Sequence, residues 1–497
     1  MAVRVYPILI FLLLFTTHLY AQSAETESIS ETITRSHVEM DIYFLASDEF
    51  RGRDTGTQEL KIASRYISTL FQVNGVKHVP GYNSYFQEVP FRQIYAPDEA
   101  SFQIADAAYV LNRHLLAINS SRGETEAPVI VLEHGTVEEI NRHDVSGKIV
   151  IVKAGFPGQT SPQQFFFSSN QKINRLMDEG AAALIELYSH RQFPWQILGN
   201  FLGRDRLDVG EADSDSNTIP HFWMNATQDP LFEKFEALAG SNARISITGK
   251  KPEAITSRNV IGYIEGTDPD LKREFILLGA HYDHLGVVPG QADGNYIYNG
   301  ARDNAIGTSA ILQAARYFAE YPPKRSLLIA AWTAEEKGLL GSGWFAENPM
   351  VAPEQIVFNL NIDGGGYNDT TKVTVVGLGR TEADDELISA ADAFGLEAIA
   401  DPVPEQNLFD RSDNVNFARL GIPAPTYSTG LTAFDEEINR YYHQVTDEPH
   451  TLNYNYITNY IRSYVLAVQK IANREKAPFW LPGDTYEQAG LELYEKE

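Results

Sequence analysis

In its second half, the chain alternates short apolar runs with stretches that carry apolar residues at helical spacing. The alternation begins with a strand-like run over 275–279, a helical pattern over 304–321 and a second strand-like run over 326–332. It continues to a last helix over 456–472. Strands that alternate with helices form a mostly parallel sheet with helices on both faces. We therefore expect an α/β fold, a three-layer α/β/α domain, over residues 253–497.

Metal-binding residue types follow the ends of these apolar runs or lie in the turns beside the helices. In an open α/β sheet, ligands bind at this edge, outside the carboxyl ends of the strands. Histidines and carboxylates together suit a divalent metal ion, zinc first. The chain of 497 residues has no cysteine, so no thiolate is present as a ligand or nucleophile. The series, in chain order, is His281, Asp283, Asp303, Glu335, Glu336, Asp363 and His443.

The first members of this series each have an ordinary structural interpretation as well. Residues i and i+2 of an extended chain share a face, so Asp283 can lie behind the imidazole of His281 and fix its tautomer. Two polar residues at a strand end are the commoner case. His284 is expected to point to the opposite face, away from the metal. Asp303 suits the N-cap of the following helix, or a bridge between two metal ions.

The later members gain weight from their surroundings. Neighbouring residues of an extended chain point in opposite directions, so one of Glu335 and Glu336 can bind metal while the other faces a water molecule. A solvated surface pair is the alternative. Asp363 is followed by three glycines, which let the main chain turn tightly beside a ligand. His443 lies in a loop, where a histidine is usually exposed, with Asp447 as a partner for the site or a helix cap. The ordered set favours a catalytic metal site.

Charge and the first residues limit where such a protein acts. The formal net charge of −26 weighs against nucleic acid and anionic membrane surfaces as partners. Residues 1–21 have the pattern of a secretory signal peptide, with Arg4, an apolar stretch over 7–15 and Ala21 at a cleavage site. The apolar stretch is too short to span a bilayer, and no later segment is apolar enough. We expect an exported protein, periplasmic or extracellular, without a membrane span; the sequence leaves its oligomeric state open.

Taken together, these motifs closely resemble the co-catalytic di-zinc exopeptidase family, which includes bacterial aminopeptidases and glutamate carboxypeptidase. The family pattern is His-x-Asp, Asp before Asn, Glu-Glu, Asp and then Tyr-His, and all occur here in that order. SDEFRGRDTGTQ is similar to the N-terminal segment of exported members, and the region around VSGKIVIV resembles a protease-associated domain. The resemblance implies a catalytic domain of residues 25–94 and 253–497, with a β-rich protease-associated insert over 95–252.

The resemblance also implies two Zn²⁺ ions and a role for each residue. One ion would be held by His281, Asp303 and Asp363. The other would be held by Asp303, Glu336 and His443, so that Asp303 bridges the pair. The remaining implied roles are Glu335 as general base for a water between the metals, Asp283 as partner of His281, and Tyr442 as hydrogen-bond donor to the oxyanion. The substrates would be peptides, cleaved at their N-terminal residue.

Three alternatives remain at this point. A carboxypeptidase or dipeptidase on the same scaffold needs a cationic pocket, for which Arg411 and Arg419 lie near the right loop. A receptor-like binding module without catalysis would show lost ligands, and none is lost here. A glutaminyl cyclase is disfavoured by the insert. Two departures from the family pattern, the glycines 364–366 and Asn414 in Ser-Asp-Asn, put the specificity in doubt.

Overall fold

The structure is a computed structural model that describes residues 24–159, 162–190, 194–210, 218–227, 230–290 and 294–495. The predicted signal peptide over 1–21 lies outside these residues. The chain divides into two compact units: unit 1 is Met1–Val89 with Thr256–Glu497, and unit 2 is Pro90–Ile255. Within the described ranges, no helix is both long and apolar enough to cross a membrane.

The N-terminal part of unit 1 is helical and leads into a strand. Helical residues 24–32 precede α1 (Arg35–Leu45), α2 (Gln58–Val73) and β1 (Phe86–Ile94). The side chain of Thr57 begins α2 by accepting a hydrogen bond from the main-chain N–H of Leu60, which satisfies one donor of the first turn. Between the helices, residues 48–53 form a tight turn with Arg51 and Gly52 in the left-handed region.

Unit 2 consists of one eight-stranded sheet with four helices among the described residues, and β8, which pairs with residues 91–94. The strand order is β3-β2-β10-β5-β6-β7-β9-β4, parallel from β5 to β9 and antiparallel at both ends. Its assignment as a protease-associated domain over 95–252 stays a prediction. Its strands are β2 (Glu99–Ile104), β3 (Ala107–Val110), β4 (Leu115–Ala117), β5 (Gly123–Val131), β6 (Ile149–Lys153), β7 (Ala183–Tyr188), β8 (Arg206–Val209), β9 (His221–Asn225) and β10 (Asn242–Thr248). Its helices are α3 (Val137–Arg142), α4 (Pro162–Asp178), α5 (Trp195–Leu202) and α6 (Leu231–Glu236).

The rest of unit 1 alternates strands and helices. The strands are β11 (Glu253–Ile264), β12 (Phe275–His281), β13 (Ser326–Trp332), β14 (Ile356–Ile362), β15 (Lys372–Val376), β16 (Glu397–Ala400) and β17 (Thr426–Thr429). The helices are α7 (Ile306–Glu320), α8 (Leu340–Glu347), α9 (Asp384–Asp392), α10 (Asn414–Arg419), α11 (Glu436–Tyr441), α12 (Tyr454–Ala472) and α13 (Glu487–Leu493). The helix predicted to close the fold, α12, is therefore followed by another short helix.

The sheet of unit 1 is covered by helices on both faces. Its strand order is β16-β15-β17-β14-β12-β13-β11-β1, and the central strands β17, β14, β12 and β13 are parallel. Ile276 and Leu278 of β12 belong to a core shared with α1, α2, α7, α9 and α12. Leu277, between them, belongs to a core on the other face, with Phe345 of α8 and Phe417 of α10. Successive side chains of a strand point to opposite faces, so this alternation makes three layers. The α/β prediction is confirmed.

Candidate metal centre and active site

The site lies at the carboxyl ends of the central parallel strands. β12 pairs in register with β13, His281 opposite Trp332, and β14 ends beside them at Ile362. The turns that follow these three strands start at one edge of the sheet, so their side chains converge. This edge is where the sequence placed the ligands.

The predicted ligands meet there in two adjoining groups. His281, Glu335 and Asp363 form one group, and the ligand atoms of its members lie within 4.8 Å of one another. His284, Asp303 and Glu336 form the other on the same criterion.

Asp303 joins the two groups through its two oxygens. Its Oδ1 lies 3.2 Å from Nε2 of His281, and its Oδ2 lies 3.2 Å from Nε2 of His443. Asp363 Oδ1 is 3.4 Å from Nε2 of His281, and Glu336 Oε2 is 3.4 Å from Nε2 of His443. The structure therefore brings all five predicted ligands together, with one carboxylate between two imidazoles.

The expectation that His284 points away from the site is wrong. Its side chain is fully buried, and its Nδ1 lies 2.6 Å from Oε1 of Glu336 and 4.0 Å from Oδ1 of Asp303. The two-residue alternation on which the expectation rested ends with β12 at His281. The chain then turns, which brings the fourth residue back to the side of the first. His284 thus holds one oxygen of Glu336, while the other oxygen faces His443.

Asp283 lies close to His281, but its carboxylate has other partners. Nδ1 of His281 is 3.2 Å from the main-chain oxygen of Asp283 and 3.9 Å from its carboxylate. The carboxylate accepts hydrogen bonds from the main-chain N–H groups of Glu335 (3.1 Å) and Glu336 (3.4 Å). It also accepts one from the Thr55 hydroxyl at 3.2 Å. Asp283 therefore ties the two-glutamate turn to the histidine turn.

The turn that carries Asp303 is held in the same way. Asp303 precedes α7 without capping it; the side chain of Asn304 accepts the N–H of Gly307 at 2.9 Å instead. The buried carboxylate of Asp447 accepts the main-chain N–H groups of Arg302 (2.9 Å) and Asp303 (3.3 Å). It also pairs with the guanidinium of Arg302 at 3.0 Å. Asp447 thus fixes the main chain of the bridging carboxylate.

Charges of both signs are concentrated and buried at this site. Burial lowers the pKa of His281, but the surrounding carboxylates, Glu335 first, outweigh it and raise that pKa well above its ordinary value. Burial raises the pKa of Asp303, but hydrogen bonds from His281 and His443 outweigh it, so the pKa lies well below its ordinary value. Burial raises the pKa of Glu335 well above the usual range; His281 opposes this rise and Asp363 adds to it.

The donor set fits zinc. Buried carboxylates cost free energy unless cations compensate them. Here ring nitrogens of His281 and His443 lie 3.2–3.4 Å from carboxylate oxygens, so both kinds of ligand atom converge on the same points. Histidine nitrogens and carboxylate oxygens, without thiolate, are typical of catalytic zinc. The two oxygens of Asp303 face different imidazoles, as a carboxylate shared by two ions requires.

A cavity of about 380 Å³ opens on this centre. One part of its lining is charged and includes His281, Asp303, Glu335, Glu336, Asp363, Asp410, Arg411 and His443. Another part is apolar and includes Val376, Leu408, Leu431, Phe434 and Ile438. The cavity therefore offers an apolar wall beside the polar centre, which is the usual composition of a small-ligand site.

Tyr442 lines this cavity. Its ring stacks on that of His443, with 4.1 Å between the centroids, and its hydroxyl accepts a hydrogen bond from Arg411 at 3.0 Å. A Cβ on Gly365 would lie 2.9 Å from the ring of Tyr442. The glycine run that departs from the family pattern therefore leaves room for the tyrosine.

Two neighbouring residues, Arg411 and Ser412, also lie at the site; the sequence named Arg411 only for the carboxypeptidase alternative. Ser412 donates to Oδ2 of Asp363 at 2.6 Å and accepts from the amide of Asn361 at 2.9 Å, so it orients Asp363. Arg411 lines the cavity, whereas Arg419 is not among its lining residues. Nothing in the spacing of Ser412 or Arg411 ties them to strand ends 50 residues earlier, so only the fold reveals their position.

Comparison with known proteins places this centre in a family. Residues 259–468 match the pattern of Peptidase family M28. Aminopeptidase YwaD of Bacillus subtilis (strain 168) is 26% identical over 344 residues, which cover 67% of this chain and 65% of that protein. Aminopeptidase NAALADL1 of Mus musculus is 29% identical over 192 residues, which cover 36% of this chain and 23% of that protein. The chain thus covers less than two thirds of the length of either relative.

A solved structure shares the fold. The aminopeptidase from Aneurinibacillus sp. strain AM-1 superposes with a TM-score of 0.56 at 21% identity, over 92% of this chain and 98% of that one. The family match contains all five predicted metal ligands and, beside them, Asp283, Glu335 and Tyr442. Residues 259–468 thus resemble peptidase family M28, and the shared region contains the whole predicted site.

Proposed function

We propose that the chain is an exported zinc aminopeptidase that removes N-terminal residues from peptides and uses two Zn²⁺ ions. The observation that carries the proposal is the convergence of His281, Asp303, Glu336, Asp363 and His443 around one cavity, with Asp303 between two imidazoles. The match of residues 259–468 to peptidase family M28 and the aminopeptidases among the relatives support the same activity.

The ligands divide between the two ions by position. His281 and Asp363 would hold one ion, Glu336 and His443 the other, and Asp303 both. Zinc, when bound, supplies Lewis acidity: it makes a water molecule more acidic and polarises a carbonyl oxygen.

Two further side chains would act on the substrate. Glu335 lies in the cavity beside the ligands, and its carboxylate has no hydrogen-bonded partner among the described residues. This carboxylate would accept the proton of the attacking water and pass it to the leaving amine. Tyr442 accepts a hydrogen bond from Arg411, so its own proton is available to donate to the carbonyl oxygen as negative charge develops there.

The charge of the cavity favours the amino end of a peptide. Five carboxylates line it, those of Asp303, Glu335, Glu336, Asp363 and Asp410. The two of these that no metal would hold, Glu335 and Asp410, can attract an α-ammonium group and repel a terminal carboxylate.

One observation favours a second candidate, a carboxypeptidase or dipeptidase on the same scaffold. Arg411 also lines the cavity, and its guanidinium could hold a substrate carboxylate as well as Tyr442. Because the lining of the cavity has five carboxylates and only the guanidinium of Arg411 to bind a substrate carboxylate, we assign the chain as an aminopeptidase. The next experiment tests the alternative.

One peptide in three forms decides between the two ends. The zinc-loaded protein is assayed on a peptide with an apolar N-terminal residue, on its N-acetylated form and on its C-terminal amide. We expect acetylation to abolish cleavage and amidation to leave kcat/KM within a few-fold. Cleavage of the acetylated peptide with resistance of the amide would make the enzyme a carboxypeptidase. No cleavage of any form by protein that holds zinc would refute the peptidase assignment.

Export is tested separately. We expect the full chain, expressed in a bacterium, to be recovered from the periplasm or the medium with its N-terminus after Ala21. Intact mass measurement of the recovered protein checks this, and a cytoplasmic product that retains residues 1–21 would contradict it.

A further inference from the structure

The side chain of Arg53 is buried among main-chain carbonyl groups. The residue is 1% exposed and comes from the turn between α1 and α2. Its Nε donates to the oxygen of Tyr282 at 3.0 Å, and its Nη2 donates to that of Gly300 at 3.0 Å. Its Nη1 donates to the oxygens of Leu45 and Asn299, both at 2.7 Å. Four carbonyls from three segments of the chain thus share one guanidinium.

Two of those segments carry the metal ligands. Tyr282 lies between His281 and Asp283, and Asn299 and Gly300 come just before Asp303. The guanidinium therefore links the turn after β12 to the turn before α7. Buried arginine normally has a carboxylate partner; burial lowers the pKa of Arg53 to about 10, and the carboxylates of Asp283 and Asp303, which lie nearby, oppose the decrease.

The neighbours of Arg53 are joined to the same turns. The main-chain N–H of His284 donates to the oxygen of Arg53 at 3.2 Å, and that of Gly286 donates to the oxygen of Gly52 at 3.0 Å. Gly52 has φ +73°, and a Cβ there would lie 2.1 Å from the oxygen of Gly286. The Thr55 hydroxyl donates to the carboxylate of Asp283. Gly52, Arg53 and Thr55 therefore contact the turn 282–286, and Asp54 pairs with Lys337, the residue after Glu336, at 2.7 Å.

We propose that Arg53 is a positioning residue of the metal centre, which fixes the distance between the ligand-bearing turns 281–286 and 299–303. The inference rests on the proposed zinc site. It extends the functional centre to a segment 200 residues upstream that lies outside the family match over 259–468. Lysine cannot replace the guanidinium, because a single ammonium lacks the planar fork that reaches carbonyls on several sides.

A second buried arginine provides the control for a purely structural role. Arg325 is also 1% exposed; it pairs with Glu274 at 2.7 Å and donates to the main-chain oxygens of Arg474 and Glu475. It precedes the first residue of β13, at the opposite end of the strand from the ligand turns. Replacement of Arg325 by lysine therefore weakens the fold without touching the site.

The test compares wild type, Arg53→Lys and Arg325→Lys. Three quantities are measured: the dissociation constant for zinc, by competition with a chromophoric chelator; the visible spectrum of the cobalt-substituted protein, which reports ligand geometry; and the urea midpoint of the metal-free protein. We expect Arg53→Lys to raise the zinc dissociation constant by about 10-fold or more and to alter the cobalt spectrum. We expect Arg325→Lys to lower the urea midpoint and to leave both metal readouts as in wild type.

A further variant keeps the proposal testable if Arg53→Lys does not fold. Thr55→Val removes only the hydroxyl that reaches Asp283, and we expect weaker zinc binding by several-fold with the urea midpoint nearly unchanged. Zinc affinity and cobalt spectrum that stay at wild-type values in the folded variants would overturn the inference and leave the proposed function standing. Wild-type protein that binds no zinc would overturn the proposed function first.

Discussion

Replacement of Glu335 by glutamine separates catalysis from metal binding. Glutamine has nearly the shape of glutamate, and the contact that holds this turn, from the main-chain N–H of residue 335 to Asp283, does not involve the side chain. The amide cannot accept a proton as the carboxylate does. The metal ligands Asp303 and Glu336 keep their places, so the ions stay while the base is lost.

The structure sets the size of the effect. A positioned general base contributes about 10²–10⁴-fold to the rate. Each tenfold is about 1.4 kcal/mol in the activation free energy, so the loss is about 3–5 kcal/mol. Glu335 lines the cavity beside the predicted ligands, as a positioned base must, so we expect the loss to fall within this range.

The assay measures kcat, KM and zinc content on the same preparations, with Glu336→Gln as the matched control. We expect Glu335→Gln to keep its zinc and its KM and to lose kcat. Glu336 faces both His284 and His443, so Glu336→Gln should instead lower zinc content at the same metal concentration. A Glu335→Gln protein with near-wild-type kcat, or one that loses zinc as Glu336→Gln does, would refute the division of roles between the two glutamates.

Three further changes have defined outcomes. Asp303→Ala removes the oxygens that face both imidazoles, so elemental analysis should find the zinc content strongly reduced, and full occupancy would contradict the bridge. Gly365→Ala places a methyl group 2.9 Å from the ring of Tyr442, so kcat should decrease at unchanged zinc content. Glu186→Gln leaves Lys172 buried without its partner at 2.6 Å and should cost about 3–5 kcal/mol in the free energy of unfolding, measured by urea titration. Burial would raise the pKa of Glu186, but Lys172 and His221 outweigh it and lower that pKa from 4.5 to about 2. The contribution of this carboxylate to the free energy of unfolding is therefore present above pH 4.5 and is lost as the pH falls towards 2.

The sequence predicted the central part of the site because β12, β13 and β14, which are consecutive in the chain, are neighbours in the sheet and parallel. The run over 326–332 is observed as β13 with those same bounds, and β14 ends directly before Asp363. Carboxyl ends of neighbouring parallel strands meet at one edge, so residues just after them must be close together. Asp363 and the two glutamates follow from this rule alone.

This rule does not predict the position of residues that lie beyond the first residues after a strand. His284 lies three residues beyond β12, and the direction of its side chain depends on a turn whose course is set by contacts with residues 52–55. The carboxylate of Asp283 binds two main-chain N–H groups that follow β13, and the His-x-Asp motif does not predict these partners. Arg53 is further still from any local pattern, since its acceptors lie 8, 229, 246 and 247 positions away. Main-chain hydrogen bonds across such distances leave no periodicity in a sequence.

The residues of this centre therefore fall into two sets with different chemistry. The ligands are imidazoles and carboxylates that face one another. Behind them, Asp283, Asp447 and Arg53 bind mainly to main-chain N–H and C=O groups of the ligand turns. Hydrogen bonds between a charged group and the main chain are strong and directional, so they fix a turn whichever side chains it carries. The positions of the ligands on three turns, 281–286, 299–303 and 335–336, are thus fixed by groups that need not touch a metal, so these turns keep one geometry.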